Sequence, residues 1–168
     1  MKTRKNVKGF TLVELIVVIA IIGVLAAILV PSMLGYVRKS KVSAANSNAK
    51  SLYDAVATSI VEMDSEGHSV GDGDYLLSSS YSVPASAPAA ADVTTTSHAY
   101  LDWKVYNYFN GIDGLNGCGW HVTSMACTGT VTTDGVYTGT YPTTTTTDNA
   151  TGASAITVNA AGLSYAMS

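Results

Sequence analysis

The stretch Lys8-Gly9-Phe10-Thr11-Leu12-Val13-Glu14-Leu15 decides how this chain folds and where it goes. It places one carboxylate at the head of an apolar run that continues to Val30 without another charge. A carboxylate at bilayer depth costs roughly 2.5 to 3.5 kcal/mol on insertion scales, and such groups are usually kept for a function. Glu14 is therefore the first candidate functional residue.

The residues before Phe10 form a short basic head with four cations and no acid. Positive charge beside an apolar segment marks the cytoplasmic side of a membrane. A secretory signal has a similar basic head, but it ends in a small-x-small cleavage site and carries no acid at the start of its apolar region. A plain transmembrane anchor needs about 20 apolar residues, so it would have to begin near Phe10 and would leave Glu14 unexplained.

The same residues resemble the precursors of type IV pilins and the related pseudopilins. These proteins have a basic leader that ends in glycine, then phenylalanine, then an apolar helix with glutamate at the fifth position. Gly9, Phe10 and Glu14 match those positions. Gly23 and Pro31 stand where pilins commonly have helix-weakening residues. The resemblance covers about residues 1–60, and beyond Met63 it fades to general architecture.

This resemblance implies how the chain would be processed and assembled. A membrane prepilin peptidase would cut after Gly9 and N-methylate Phe10, and an assembly ATPase with its platform protein would then extract the subunit. Before assembly the chain would cross the inner or cytoplasmic membrane once, with its N-terminus in the cytoplasm. Afterwards it would lie in an extracellular helical homo-oligomer, in which the new α-amine of Phe10 pairs with Glu14 of a neighbouring copy.

The periodicity after the apolar run predicts that the helix continues as an amphipathic one. Apolar or small residues recur in steps of three and four, which makes one stripe on an α-helix: Ala45, Ala49, Leu52, Val56 and Ile60. The helix is predicted to end near Met63 to Gly67, with Gly67 as its C-terminal cap. We therefore expect an α+β fold in which a long N-terminal helix packs on a small antiparallel sheet.

This reading divides the chain into a leader at 1–9, a transmembrane or filament-core helix at 10–31, an amphipathic continuation at 32–63 and a head at 64–168. Turn residues at 71–74 and 82–88 predict a long connection at the start of the head. A short helix is predicted within 98–112, although the same residues also alternate like a strand. Strands are predicted at 120–123, 130–132 and 155–158, with a hairpin turn at 133–135.

The charge balance argues against nucleic acid as a partner. After Gly9 the chain carries twelve acidic and five basic side chains, a formal charge of −7, whereas binding of phosphates needs a basic surface. Three of those bases, Arg38, Lys39 and Lys41, follow the apolar run closely. They are expected to meet lipid head groups or acidic faces of neighbouring subunits, or simply to face solvent.

No pattern in the sequence predicts an enzyme, a cofactor or a metal site. The three histidines, His68, His98 and His121, lack the spacing of zinc ligands. The run Asp72-Gly73-Asp74 resembles a fragment of a calcium loop without its later ligands. The threonine run 143–147 is expected to be an exposed loop or an O-glycan acceptor, and Asn149-Ala150-Thr151 fits the N-glycosylation pattern.

The chain has two cysteines, Cys118 and Cys127. The extracytoplasmic location that the resemblance implies favours a disulfide between them, with two free thiols as the alternative. Three functions stay open: a structural subunit of a type IV pilus for adhesion, motility or DNA uptake; a pseudopilin of a type II secretion or competence system; and a pilus-borne adhesin that binds a surface or a carbohydrate.

Overall fold

The structure is a computed structural model that describes residues 9–78, 84, 86–146, 149–150 and 157–168. The chain divides into two compact units, Met1–Arg38 and Lys39–Ser168. In chain order, helix α1 spans Leu12–Ser65, strand β1 Gly73–Ser78, helix α2 Ala99–Tyr108, strand β2 Gly117–Thr123, strand β3 Ala126–Thr133, strand β4 Thr138–Tyr141 and helix α3 Ala160–Met167. A short 3₁₀-helix at Asn110–Gly114 follows α2.

Within the described residues, the first unit consists of the apolar part of α1 and the three residues before it. The helix runs without interruption through Gly23 and Pro31, although proline removes one backbone hydrogen bond from a helix. Every described residue from Gly9 to Lys41 is exposed to solvent. The weakening of the helix at Gly23 and Pro31 stays a prediction.

The second unit is an α+β head, as the sequence predicts. Among the described residues of the head, four strands form one antiparallel sheet in the order β1-β2-β3-β4. The predicted helical stripe is confirmed, because all five of its residues are buried: Ala45, Ala49, Leu52, Val56 and Ile60. The central core side chains of the sheet are Tyr75, Leu77, Trp120 and Val122.

Helix α1 ends as the sequence predicts, at a glycine cap. Gly67 has a φ of 81°, which glycine adopts without strain. The N–H of His68 donates to the carbonyl of Met63 at 3.0 Å, and the N–H of Gly67 donates to the carbonyl of Asp64 at 3.0 Å. This pair of bonds is the Schellman motif, and it satisfies carbonyls that the helix end would otherwise leave open.

Small residues let the sheet approach α1 closely. The Thr130 hydroxyl donates to the Ala49 carbonyl at 2.7 Å, and the Thr132 hydroxyl donates to the Ala45 carbonyl at 3.3 Å. A Cβ atom added at Gly139 on β4 would overlap the carbonyl group of Ala45. Glycine is therefore required at position 139 for contact between the two backbones.

Asn46 on α1 forms hydrogen bonds to strand β4 and to the residues that follow it. Its Oδ1 accepts the N–H of Thr140 and of Thr145, both at 3.1 Å, and its Nδ2 donates to the Thr145 carbonyl at 2.8 Å. The N–H of Thr138 donates to the carbonyl of Ala150 at 2.9 Å. Two outward amides of the edge strand β4 thus have acceptors within the head.

Two elements of the head are not predicted from the sequence. Strand β1 replaces the second part of the turn predicted at 71–74 and pairs along its length with β2. Helix α3 packs against β3 and β4 and starts at Asn159, whose side chain accepts the N–H of Gly162 at 2.9 Å. Residues 155–156 of the strand predicted at 155–158 lie outside the described residues, and Thr157 and Val158 belong to no strand.

The structure does not contain the predicted disulfide, because both cysteines are free and buried. Cys118 lies opposite Thr132, whereas Cys127 lies opposite Val122. Positions 118 and 122 are four residues apart on β2, which at about 3.3 Å per residue is about 13 Å. A disulfide needs Cα atoms within roughly 7 Å of each other, so this register keeps the thiols apart.

Candidate assembly segment

A capping box starts helix α1 and uses the carboxylate that the sequence singles out. The main-chain N–H and the hydroxyl of Thr11 both donate to Oε2 of Glu14, at 2.8 and 2.7 Å. The N–H of Glu14 in turn donates to the Thr11 hydroxyl oxygen at 3.3 Å. Thr11 is thus the N-cap and Glu14 the N3 residue of a reciprocal cap. The spacing Thr-x-x-Glu is present in the sequence, and our sequence interpretation missed it.

This cap stabilises the Glu14 carboxylate within its own chain. The carboxylate accepts two hydrogen bonds from its own chain, and bonds to an ionised acceptor are stronger than neutral ones. Its negative charge also lies at the positive end of the helix macrodipole. Glu14 therefore has local partners in the single subunit, and these reduce the cost of carrying a charge on an apolar helix.

The predicted cleavage junction lies just outside this cap. Gly9 and Phe10 precede the helix and take part in no regular element, and Phe10 is 88% exposed. A peptide bond outside a helix has no intrahelical hydrogen bonds that must break before it can bind in the active site of a peptidase. The junction between Gly9 and Phe10 is therefore open to an enzyme.

The rest of the segment is an apolar surface with no cover in the single chain. Among the described residues, α1 is the one helix long and apolar enough to cross a membrane, and none of its most apolar window is buried. Contiguous exposed apolar surface of this extent marks a site of contact with a membrane or with other protein. The segment thus needs lipid or other helices around it.

Comparison with known proteins agrees with this geometry. Residues 4–30 match the family described as the Prokaryotic N-terminal methylation motif. The chain is 47% identical over 57 residues to the type IV major pilin protein PilA of Myxococcus xanthus, a match that covers 34% of this chain and 26% of that protein. This segment is therefore similar to the N-terminal segment of type IV pilins.

Two further relatives of the chain are fimbrial proteins. It is 37% identical over 86 residues to the type IV major fimbrial protein FimA of Dichelobacter nodosus, covering 50% of this chain and 55% of that one. It is 46% identical over 66 residues to a fimbrial protein of Moraxella nonliquefaciens, covering 39% and 40%. The chain therefore spans between about a quarter and just over half of the length of these relatives. No solved structure matches it.

The three histidines of the head each lie beside an aspartate. His98 Nδ1 and Oδ2 of the buried Asp102 are 2.7 Å apart. His121 lies on β2 with Nδ1 2.6 Å from Oδ1 of Asp74 on β1. The third histidine, His68, is 3.8 Å from Asp92.

These histidines do not build a metal centre within the described part of the chain, which holds no cluster of three or more possible ligands. The fragment that resembles a calcium loop has structural partners instead. Asp72 accepts the N–H of Ser124 at 2.7 Å, and Asp74 lies beside His121. Both carboxylates therefore join β1 to the end of β2.

A buried lysine links α2 to the end of α1, and no pattern in the sequence predicts this link. Lys104 Nζ lies 2.8 Å from Glu66 Oε1 and 3.2 Å from Glu62 Oε1. The hydroxyl of Tyr100 donates to Glu66 at 2.6 Å. Burial alone lowers the pKa of Lys104, but its hydrogen bonds to Glu66, Glu62 and Tyr100 outweigh burial and hold that pKa above its usual value.

The threonine run is only partly the exposed loop that we expect from the sequence. Thr145 is buried, and its hydroxyl oxygen lies 2.7 Å from both Asn46 Oδ1 and the Thr138 carbonyl oxygen. Thr144 and Thr146 are exposed, and Thr147 lies outside the described residues. The amide of Asn149 is also engaged, because Oδ1 accepts the N–H of Thr146 at 2.7 Å and Nδ2 donates to Tyr165 at 3.0 Å.

Proposed function

We propose that this chain is a type IV pilin, a structural subunit of a type IV pilus, and not an enzyme. The observation that carries the proposal is the exposed apolar segment headed by the Thr11–Glu14 cap, which coincides with the methylation motif at residues 4–30. The relatives' names, major pilin and fimbrial protein, support a filament subunit over a pseudopilin or an adhesin.

In this proposal a prepilin peptidase cuts between Gly9 and Phe10 and methylates the new α-amine. The subunit waits in the inner or cytoplasmic membrane until the assembly ATPase and platform protein move it into a helical homo-oligomer. Apolar segments then exchange lipid for other helices. This exchange gains little hydrophobic free energy, so packing and polar pairing have to select the partner.

Glu14 is the polar group that this proposal uses for pairing. In the fibre its carboxylate leaves the Thr11 cap, at least in part, for the α-amine of Phe10 on a neighbouring copy. Desolvation cancels much of the attraction in a buried ion pair. The pair therefore contributes more to the register between subunits than to the total stability of the fibre.

Two measurements test the proposed function. Mass spectrometry of the protein from membranes should give an N-terminus at methylated Phe10, and a start at Met1 or near Ala27 would overturn the processing step. Gly9→Leu should stay uncut, while Gly23→Leu, on an exposed helix face with no atom near its Cβ position, should still be cut. Electron micrographs should show surface fibres on cells that carry the gene and none on cells that lack it.

A further inference from the structure

A cavity of about 200 Å³ lies within the head, between α1 and the β3–β4 hairpin. Ala44, Ala45 and Asn48 of α1 form one wall, and Asp134 and Tyr137 of the hairpin turn form another. Pockets for drug-sized ligands hold about 300–1,000 Å³. This cavity therefore suits one small ring and not a larger molecule.

Two opposite charges line the cavity without pairing with each other. Asp134 is held in place because its Oδ1 accepts the N–H of Val136 at 2.8 Å and that of Tyr137 at 2.7 Å. Lys41 is exposed and makes no ion pair within 4.0 Å among the described residues. The cavity thus offers a fixed carboxylate on one wall and an available cation on the other.

The residues that line the cavity favour some classes of ligand over others. A phosphate or another dianion would be attracted by Lys41 but repelled by Asp134, which makes such a ligand a poor fit. Asn48 offers an amide that both donates and accepts, and Tyr137 and Leu115 add an aromatic and an aliphatic surface. A ring that has a carboxylate, several hydroxyls and an apolar face satisfies all of these groups.

We propose that this cavity binds a single sugar unit that bears a carboxylate. The sugar carboxylate pairs with Lys41, its hydroxyls bond to Asn48 and to the Asp134 carboxylate, and its ring packs on Tyr137 and Leu115. The inference rests on the proposed function only in that an extracellular head would meet such sugars.

The test uses the full mature chain in a mild detergent, with glucuronic acid as the probe and neutral glucose as the matched control. Ligand-observed saturation-transfer NMR should show contact with glucuronic acid and much less with glucose. Lys41→Gln should weaken glucuronic acid binding about tenfold or more, as expected for the loss of a charge-assisted bond. Lys50→Gln removes an exposed cation outside the cavity lining and should leave the binding unchanged.

Three results would overturn the inference. They are equal contact with both sugars, unchanged binding in Lys41→Gln, or stronger binding of glycine, whose two opposite charges match Lys41 and Asp134, than of glucuronic acid. Fibre yield separates this failure from failure of the proposed function. If cells make fibres and the chain does not bind glucuronic acid, only the sugar site is wrong. If cells that carry the gene make no fibres, the pilus role is wrong whatever the NMR shows.

Discussion

At the scale of single residues, Glu14 has two separable properties, because it is both a hydrogen-bond acceptor in a helix cap and a negative charge. Glutamine keeps the first and loses the second, since it also serves as the N3 residue of a capping box. Alanine loses both. The three side chains at this position therefore distinguish capping from charge pairing.

We predict that Glu14→Gln inserts and is cut like the wild type but gives much less sheared surface fibre. The reason is that the neighbour's α-amine then meets no opposite charge. The measurement is fibre yield at equal membrane levels of protein, with Glu14→Ala alongside. Thr11→Val is the control, because it weakens the cap and leaves the carboxylate. Wild-type yield from Glu14→Gln would reject a pairing role.

The two thiols give a second prediction at this scale. Burial raises the pKa of Cys118 and of Cys127 to about 12, and the thiolate is the reactive form. We expect iodoacetamide at pH 8 to leave both thiols unmodified in the native protein and to modify both in urea without a reductant. Modification in urea only after reduction would mean that a disulfide had been present.

At the scale of elements, the approach of β4 to α1 depends on one missing side chain. We predict that Gly139→Ala lowers the free energy of unfolding by about 1–3 kcal/mol, the usual cost of overpacking, because its Cβ overlaps the Ala45 carbonyl. Gly117→Ala is the matched control, since its Cβ would make only ordinary contacts at 3.4 Å or more. Equal urea midpoints for the two variants would contradict this account.

The start of α2 carries a pH dependence. The hydrogen bond with Asp102 raises the pKa of His98 above its usual value, against burial, which lowers it. A raised pKa in the folded state means that this stabilisation is fully present below the unfolded pKa of 6.5 and is lost as pH rises through the folded value. We expect the difference in unfolding free energy between wild type and His98→Gln to be larger at pH 6 than at pH 9. A difference that does not change with pH would contradict this.

The sequence predicts those elements whose residues carry a strong local pattern. The stripe on α1, the cap at Gly67 and the turn after Thr133 each depend on neighbours within a few residues. Strand β1 and helix α3 are short, and tertiary pairing with β2 and packing on β3 stabilise them.

The difference between the predicted disulfide and the free cysteines of the structure has a related origin. The β2–β3 turn uses Ser124 and Met125 at φ of 51° and 61°, without the glycine or asparagine that usually identifies such a turn. The strand register was therefore not readable from the sequence, and the distance between the cysteines could not be derived.

At the scale of the whole molecule, the two units differ in the surface that they show to water. The residues of the first unit that the structure describes expose an apolar helix, whereas the second unit buries its own core. We predict that residues 39–168, expressed alone, stay monomeric in buffer, while the full chain needs detergent. Analytical ultracentrifugation measures both, and a fragment that aggregates at once would show that the head needs the first unit for its fold.

The acceptors along β4 block this edge of the sheet against pairing with a strand of another molecule. An edge strand with open amides is a template on which another sheet can extend, and natural proteins block such edges to avoid aggregation. Here Asn46 and Ala150 occupy the outward amides of Thr140 and Thr138. Heads held side by side at high density therefore cannot merge their sheets along this edge.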